Sequence, residues 1–363
     1  YLVMRVYNFS AGPSMLPIEV LKDVQKKFID YEGCGMSVTE ISHRGPIFEK
    51  INSDAKENLR RLMNIPDNYD IVFVQGGGAT QFEAVPLNLC RGDKPKGDYI
   101  VSGNFAKRAY NEAKKYGDMR LVASSEDKRF TYVPETKRED FRRDADYVHI
   151  CYNNTAFGTR FIQVPDTGNI PLVADLSSCI LSQEFDVSKF GVIYAGAQKN
   201  IGPAGTTIII IRKDLEHLAM PICPTMLKWS TMTESDNLFN TPPIFSIYMA
   251  GEVFKYLLKK GGVKAIYDIN VKKAEMLYSY LDGSDFYNNP VEKPYRSLMN
   301  VVFTTPSPQL DDKFAREAEE NGLYYLKGHK VAGGIRASIY NAMPIEGVEK
   351  LLQFMELFAK ENS

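Results

Sequence analysis

The sequence predicts an α/β fold with a second, smaller α+β unit towards its C-terminal end, and three observations lead there. Short apolar runs of four to seven residues alternate with longer segments that carry apolar residues at helical spacing. From about residue 284 the strand and helix signals become more closely spaced and read as a compact α+β cap. At 363 residues the chain is long enough for a large core and two domains.

Taken in order, residues 8–13 (NFSAGP) form a turn-rich arm, and Pro17 opens a helix that runs through about Tyr31. Gly33 and Gly35 end it and begin a loop containing Ser42-His43-Arg44-Gly45-Pro46. An adjacent imidazole and guanidinium can be two ordinary surface side chains or a grip for an anion, since a planar guanidinium suits a phosphate. A helix over 47–63 precedes a strand over 69–74 that runs into Gln75-Gly76-Gly77-Gly78-Ala79-Thr80. Glycines at that point let the backbone approach an anion closely, and the next helix offers free N–H groups and its positive dipole end. A plain strand-to-helix turn is the other reading.

A strand over 98–102 leads through Gly103-Asn104-Phe105-Ala106 into a helix ending near Tyr116, and Phe105 alone reads as core packing. A strand over 146–152, with a structural His149 in its middle, ends at Asn153-Asn154-Thr155, where a threonine hydroxyl can cap a turn. A strand over 170–175 (IPLVAD) ends in Asp175 and is followed by Ser177 and Ser178. After the strands at 192–195 and 206–211, His217 falls in a charged helix as a solvated residue, and residues 239–243 (FNTPP) form a polar elbow. Helices over 247–260 and 263–281 carry apolar residues at core spacing. The cap then reads strand 297–304, helix 311–321, strands 323–326 and 331–338, and helix 345–359, with Gly328-His329-Lys330 and Arg336 as its outstanding polar residues.

The chemical centre is the stretch GVIYAGAQKNIGPAG, from Gly191 to Gly205, with Lys199 between two apolar strands. Most lysines are solvated surface charges. No other charge lies between Lys189 and Arg212, however, and an ammonium among buried strands must find a partner or lose its proton. A desolvated, deprotonated amine is what a Schiff-base nucleophile requires. Asp175 at a strand end, followed by this lysine one crossover later, is an arrangement that clamps pyridoxal phosphate, with the carboxylate on the ring nitrogen and the lysine on the aldehyde.

Composition narrows the function classes. A formal net charge of -1 without a basic tail lacks the footprint of a nucleic-acid binder. No apolar run approaches the roughly 18 residues of a membrane span, and no cleavable signal peptide is seen. The reading is therefore a cytoplasmic protein, with Met4 as the native start and Tyr1, Leu2 and Val3 as leftover residues ahead of it. Five scattered cysteines without CxxC spacing and four dispersed histidines argue against a disulfide framework or a metal site.

The run ADLSSCILSQEFDVSKFGVIYAGAQKNIGPAG closely resembles the cofactor region of the phosphoserine aminotransferases, a class V, fold type I pyridoxal-phosphate family. NFSAGP, HRGPIF, QGGGATQFEAVPLN, NTPP and GGIRASIYNAMPIEGV resemble the same family in the expected order and cover nearly the whole chain. The resemblance implies a large domain over 16–262 with a mostly parallel seven-stranded sheet, and a small domain made of 4–15 and 263–363. It implies Lys199 and Asp175 as the catalytic pair. It further implies that Gly78, Ala79 and Thr80 bind the cofactor phosphate, Phe105 stacks on its ring, Thr155 bonds its hydroxyl, and Ser177 and Gln198 complete the pocket. Asn240 and Thr241 would reach across a homodimer interface to the neighbouring cofactor.

By the same resemblance, Arg336 anchors the substrate α-carboxylate, while His43, Arg44, His329 and Lys330 hold its phosphate. Lys330 and Phe105 stand where arginine and tryptophan are common, which implies softer phosphate selectivity and less stacking area. The implied reaction exchanges the amino group between L-glutamate and 3-phosphohydroxypyruvate, giving 2-oxoglutarate and O-phospho-L-serine in serine biosynthesis. A cysteine desulfurase-like lyase shares the aspartate and lysine but needs a reactive cysteine near the C-terminal domain, and none follows Cys223. A non-catalytic cofactor-binding protein is the other alternative.

Overall fold

The computed structural model describes residues 5–363, so the expectation about Tyr1 to Met4 lies outside the described residues. The strands are β1 (Tyr7–Asn8), β2 (Tyr69–Val74), β3 (Lys96–Val101), β4 (Asp118–Ser124), β5 (Tyr147–Cys151), β6 (Leu172–Asp175), β7 (Val192–Gly196), β8 (Thr207–Arg212), β9 (Asn300–Phe303), β10 (Leu323–Tyr324) and β11 (Ile335–Ser338). The α-helices are α1 (Ile18–Lys27), α2 (Pro46–Met63), α3 (Gly77–Leu89), α4 (Asn104–Ala113), α5 (Trp229–Glu234), α6 (Ile244–Lys259), α7 (Gly262–Asp282), α8 (Pro308–Glu320) and α9 (Ile345–Asn362).

Seven strands form one sheet in the order β2-β8-β7-β6-β5-β3-β4. The pairs from β7 to β4 are parallel, and β8 is antiparallel to both β7 and β2. The mostly parallel seven-stranded sheet is thus present. Its central strands read as continuous apolar runs because both faces are covered. Alternate residues of β7 and β8 enter different cores. Ile193, Ala195, Ile208 and Ile210 join the cluster that includes Phe48, Ala55, Leu59 and Phe254 of α2 and α6. Val192, Tyr194, Ile209 and Ile211 join Phe82, Val85, Ala106 and Ala109 of α3 and α4.

A third cluster gathers Phe9 and Met15 of the arm with Leu277 of α7, Phe303, Phe314, Ile335 and Met355. Here β11 pairs antiparallel with β9, and the arm strand β1 pairs parallel with β10 through Tyr7 and Leu323.

The structure departs from the sequence reading at several places. Strand β4 escapes that reading because, at the sheet's edge, only Met119 of its seven residues is buried and the apolar signal is weak. The short helix α5 escapes it too. Residues 331–334 form a turn instead of the start of a strand, with Gly333 and Gly334 at positive φ, and β11 begins only at Ile335. His217 lies in a turn after the 3-10 segment Lys213–Leu215, not in a charged helix. The connection from β6 to β7 contains one short 3-10 turn, Val187–Lys189, in place of a helical crossover.

Phe314 is fully buried and meets the rings of Phe303, Phe354 and Phe358 edge-on at centroid distances of 5.8, 5.0 and 5.1 Å. Phe314→Ala is expected to cost about 3–5 kcal/mol, read as a lowered urea midpoint; a loss under about 1 kcal/mol would contradict this packing.

Candidate active site

The parallel strands β5, β6 and β7 bring their C-terminal ends to one edge of the sheet, the place where open α/β sheets bind ligands. Beyond β5 stands Thr155, at the end of β6 stands Asp175, and the loop from β7 to β8 carries Gln198 and Lys199. The loop is held from three sides. The Ser14 N–H donates to the Gln198 carbonyl at 3.0 Å, and the Ser14 hydroxyl donates to the Lys199 carbonyl. Asn200 Nδ2 donates to the Ile180 carbonyl at 2.6 Å, while the Asn341 N–H donates to Asn200 Oδ1 at 2.9 Å.

Lys199 Nζ donates to Thr155 Oγ1 at 2.7 Å and lies 4.8 Å from the centroid of the Phe105 ring. Burial pulls the pKa of this amine below the ordinary lysine value, the Asp175 carboxylate opposes that shift, and the Arg336 charge adds to it. Asp175 is buried, and its Oδ1 accepts the Ser177 N–H at 2.8 Å. Ser177 Oγ in turn accepts the Gly196 N–H at 3.0 Å. Behind this carboxylate, Tyr194 and His149 Nε2 share a 2.9 Å hydrogen bond, and the imidazole stacks on Tyr99. Burial pushes the His149 pKa down to about 3, so it is a neutral core residue, as its mid-strand position suggested.

The glycine turn faces the same edge. Gly76 caps α3 with φ of +99°, and a Cβ there would lie 2.0 Å from Thr80 Oγ1. A Cβ on Gly78 would approach Ser177 Oγ to 3.3 Å and Asp175 Oδ2 to 3.8 Å, so the first turn of α3 lies directly against the aspartate. Ala79 is exposed next to it, and Thr80 Oγ1 donates to the Gly76 carbonyl at 2.9 Å.

From β11, Arg336 Nη1 donates to the Thr155 carbonyl at 3.4 Å, while its buried Nε has no partner. The His329 ring meets Phe105 edge-on at 6.3 Å. Burial lowers the His329 pKa, and the charges of Arg336, Lys330, Arg108 and Lys199 lower it further. Lys330 is exposed beside it.

One chain therefore assembles Lys199, Asp175, Ser177, Gly78, Phe105, Thr155, His329 and Arg336. Among the described residues, no hydrogen bond or ring contact within the one chain joins His43, Arg44, Asn240 or Thr241 to the lysine. Arg44 is exposed and His43 half-buried in the turn before α2, and no hydrogen bond among the described residues joins either side chain to Lys199 or Arg336. Asn240 and Thr241 are exposed beside the glycine turn: Asn240 lines a cavity with Gly76 and Thr80, and the Thr241 carbonyl accepts from Gln75 Nε2 at 3.4 Å. Sequence reasoning missed Ser14, Asn200 and Asn341, which hold the lysine loop. It also missed Arg108, whose guanidinium lies 5.8 Å from the Phe105 ring centroid. Ser14 directly follows the NFSAGP run and Asn341 lies within the GGIRASIYN run, so only their roles were hidden. Among the described residues no cluster of His, Cys, Asp or Glu could hold a metal ion, and no helix is long and apolar enough to cross a membrane.

A desolvated lysine amine opposite a buried carboxylate, at strand ends and beside a glycine-capped helix N-terminus, defines the site of a fold type I pyridoxal-phosphate enzyme. In agreement, the family model for class-V aminotransferases matches residues 6–351, so the chain belongs to that family and is a pyridoxal-phosphate-dependent transaminase. Within it, relatives about half identical over nearly the whole chain are phosphoserine aminotransferases. A Bacillus cereus enzyme of that name is 51% identical over 358 residues, covering 99% of each chain. The solved phosphoserine aminotransferase of Bacillus circulans subsp. alkalophilus superposes with a TM-score of 0.96 at 42% identity and 99% coverage of both chains. The PLP-bound enzyme of Trichomonas vaginalis gives a TM-score of 0.92 at 37% identity, over 97% of this chain and 100% of the other.

In the cofactor-free protein, Lys199 is expected to react with an amine-directed acylating reagent with a pH midpoint below the ordinary 10.5. Because the Asp175 carboxylate favours the ammonium, Asp175→Asn should move that midpoint further down. A midpoint that rises in the variant would contradict the electrostatics of the site.

Proposed function

We propose that this chain acts as a cytoplasmic homodimer that transfers the amino group of L-glutamate to 3-phosphohydroxypyruvate, reversibly, to give 2-oxoglutarate and O-phospho-L-serine for serine biosynthesis. The observation that carries the reading is the Lys199 amine, desolvated and bonded to Thr155, beside an Arg336 guanidinium whose buried Nε has no partner. The relatives named above supply the phosphorylated substrate, and the cations around Phe105 suit it.

The residues present fit pyridoxal phosphate. The Gly78 position leaves room beside Ser177 and Asp175 that a Cβ would fill, and the free N–H groups of α3 open there. When bound, the cofactor supplies an aldehyde that condenses with amines and a ring that accepts electrons released at the substrate Cα. Gly78, Ala79 and Thr80 would hold its phosphate, Phe105 would cover one face of its ring, and Thr155 would bond its hydroxyl. Ser177 and Gln198 would line the pocket, and Asp175 would hold a proton on the ring nitrogen.

As the free base, which burial favours, the Lys199 Nζ would then take the proton from the substrate Cα and afterwards give it back as an acid. Arg336 orients the substrate by its α-carboxylate, for which a guanidinium fork is suited. His329 and Lys330 hold the distal phosphate, or the side-chain carboxylate of glutamate. His43, Arg44, Asn240 and Thr241 of a second copy complete the site, which explains why none of them bonds to Lys199 within one chain. The same reading treats residues 16–262 as the cofactor domain and 4–15 with 263–363 as the cap. The β1–β10 pairing and the shared cluster containing Phe9 and Met15 support that division. The lyase reading gains nothing from the structure, because Cys151 and Cys179 near Asp175 are buried thiols with pKa values raised by burial.

A subunit-mixing experiment tests the shared site. Lys199→Ala alone should be inactive, and Arg44→Ala should lose most phosphoserine turnover. Refolded as an equal mixture, the two variants should recover about a quarter of wild-type activity, since half of the dimers are hybrids with one intact site each. No recovery from the mixture would defeat the proposal that Arg44 serves the neighbouring lysine.

A further inference from the structure

Arg108 is an exposed residue of α4, one turn beyond Phe105, and nothing in the mechanism above uses it. Its guanidinium carbon lies 5.8 Å from the ring centroids of both Phe105 and Phe82. Of the charges near it in sequence, Lys107 pairs with Glu126 and Lys115 with Glu112, while Lys114 lies over the Tyr110 ring. Arg108 forms no ion pair and no side-chain hydrogen bond with the described residues. The Phe105 ring that it touches is the one approached by the Lys199 amine at 4.8 Å and by His329 at 6.3 Å. Its charge is felt at His329, together with those of Arg336, Lys330 and Lys199.

Gathering cations in this way costs free energy through mutual repulsion, which a bound anion relieves. Two aromatic faces hold a guanidinium by cation–π attraction while its N–H edge stays free. That edge matches two oxygens of a phosphate, a geometry that the ammonium of Lys330 cannot supply. Arg336 sits against Thr155 and in the reading above takes the α-carboxylate end of the substrate.

We propose that Arg108 is a specificity-determining residue: its guanidinium, seated between Phe82 and Phe105, pairs with the distal phosphate of the phosphorylated substrate. The assignment rests on the phosphoserine reading above. Arg108 thereby supplies, from within the chain that carries Lys199, the planar fork missing at Lys330. Glutamate, with a single negative charge on its side chain, depends on it less.

The test uses the cofactor-loaded enzyme and two variants, Arg108→Met and Arg108→Lys. Loss of a charge-assisted pair predicts that the methionine variant raises KM for O-phospho-L-serine roughly 10- to 100-fold, with a smaller rise for L-glutamate and the loss in KM more than in kcat. Arg108→Lys should recover part of that loss. Calorimetric titration with inorganic phosphate should show weaker binding in the methionine variant, while its affinity for pyridoxal phosphate stays that of wild type. An unchanged KM and unchanged phosphate affinity would overturn the assignment alone. So would equal losses for both substrates, or a loss of cofactor affinity, which would place the guanidinium on the cofactor instead. A wild-type enzyme that leaves phosphoserine untouched would overturn the parent reading and this assignment with it.

Discussion

Keeping a lysine amine out of water without a carboxylate against it costs free energy that surrounding packing must offset. In this chain the offset begins with β7 and β8, whose residues fill the cores on both faces of the sheet and fix both ends of the loop between them. The antiparallel turn into β8 puts Lys199 over the ends of the parallel strands, where Asp175 and Thr155 also emerge. The amine accordingly rests on a neutral hydroxyl and beside an aromatic ring. A proton leaves such an amine more easily than it leaves a surface lysine, and the chemistry of transamination depends on that.

The same loop is where distant parts of the chain meet. The arm reaches it through Ser14, and the turn after β11 reaches it through Asn341, whose side chain also donates to the Leu181 carbonyl and accepts from Asn270 Nδ2. That turn is itself fixed by Lys273 of α7, a buried lysine that donates to the carbonyls of Ile339, Tyr340 and Met343 at 2.8–3.0 Å. Burial pushes the Lys273 pKa down to about 7. The Tyr340 hydroxyl closes the circuit by donating to the Ala11 carbonyl. Arg336 comes just before this turn, so the guanidinium and the Lys199 loop are positioned by one hydrogen-bonded unit. Buried networks of this kind rigidify a site when their donors are matched.

Much of this was legible in the sequence, for identifiable reasons. Strands β5 to β8 are buried on both faces and announce themselves as apolar runs, and Asp175 and Lys199 stand out as the charges that interrupt them. Strand β4 did not, because an edge strand has little to bury. The stretch 331–334 reads as the beginning of β11, but the two glycines within it turn the chain. Arg108 was invisible for a different reason: an arginine on an amphipathic helix is ordinary, and only the fold shows that Phe82, from another helix, lies under it. That His43, Arg44, Asn240 and Thr241 form no bond to Lys199 within one chain is likewise a fact of three dimensions.

The central claim is that Lys199, Asp175 and the cations of the cap together carry out a half-reaction on a phosphorylated amino acid. The most direct measurement is the visible absorption of the cofactor-loaded protein during titration with O-phospho-L-serine in the absence of any keto acid. The account predicts that the long-wavelength cofactor band bleaches as one amino group is transferred per chain, and that 2-oxoglutarate restores it. A band that bleaches with glutamate but ignores phosphoserine would contradict the substrate, and one indifferent to both would contradict the chemistry.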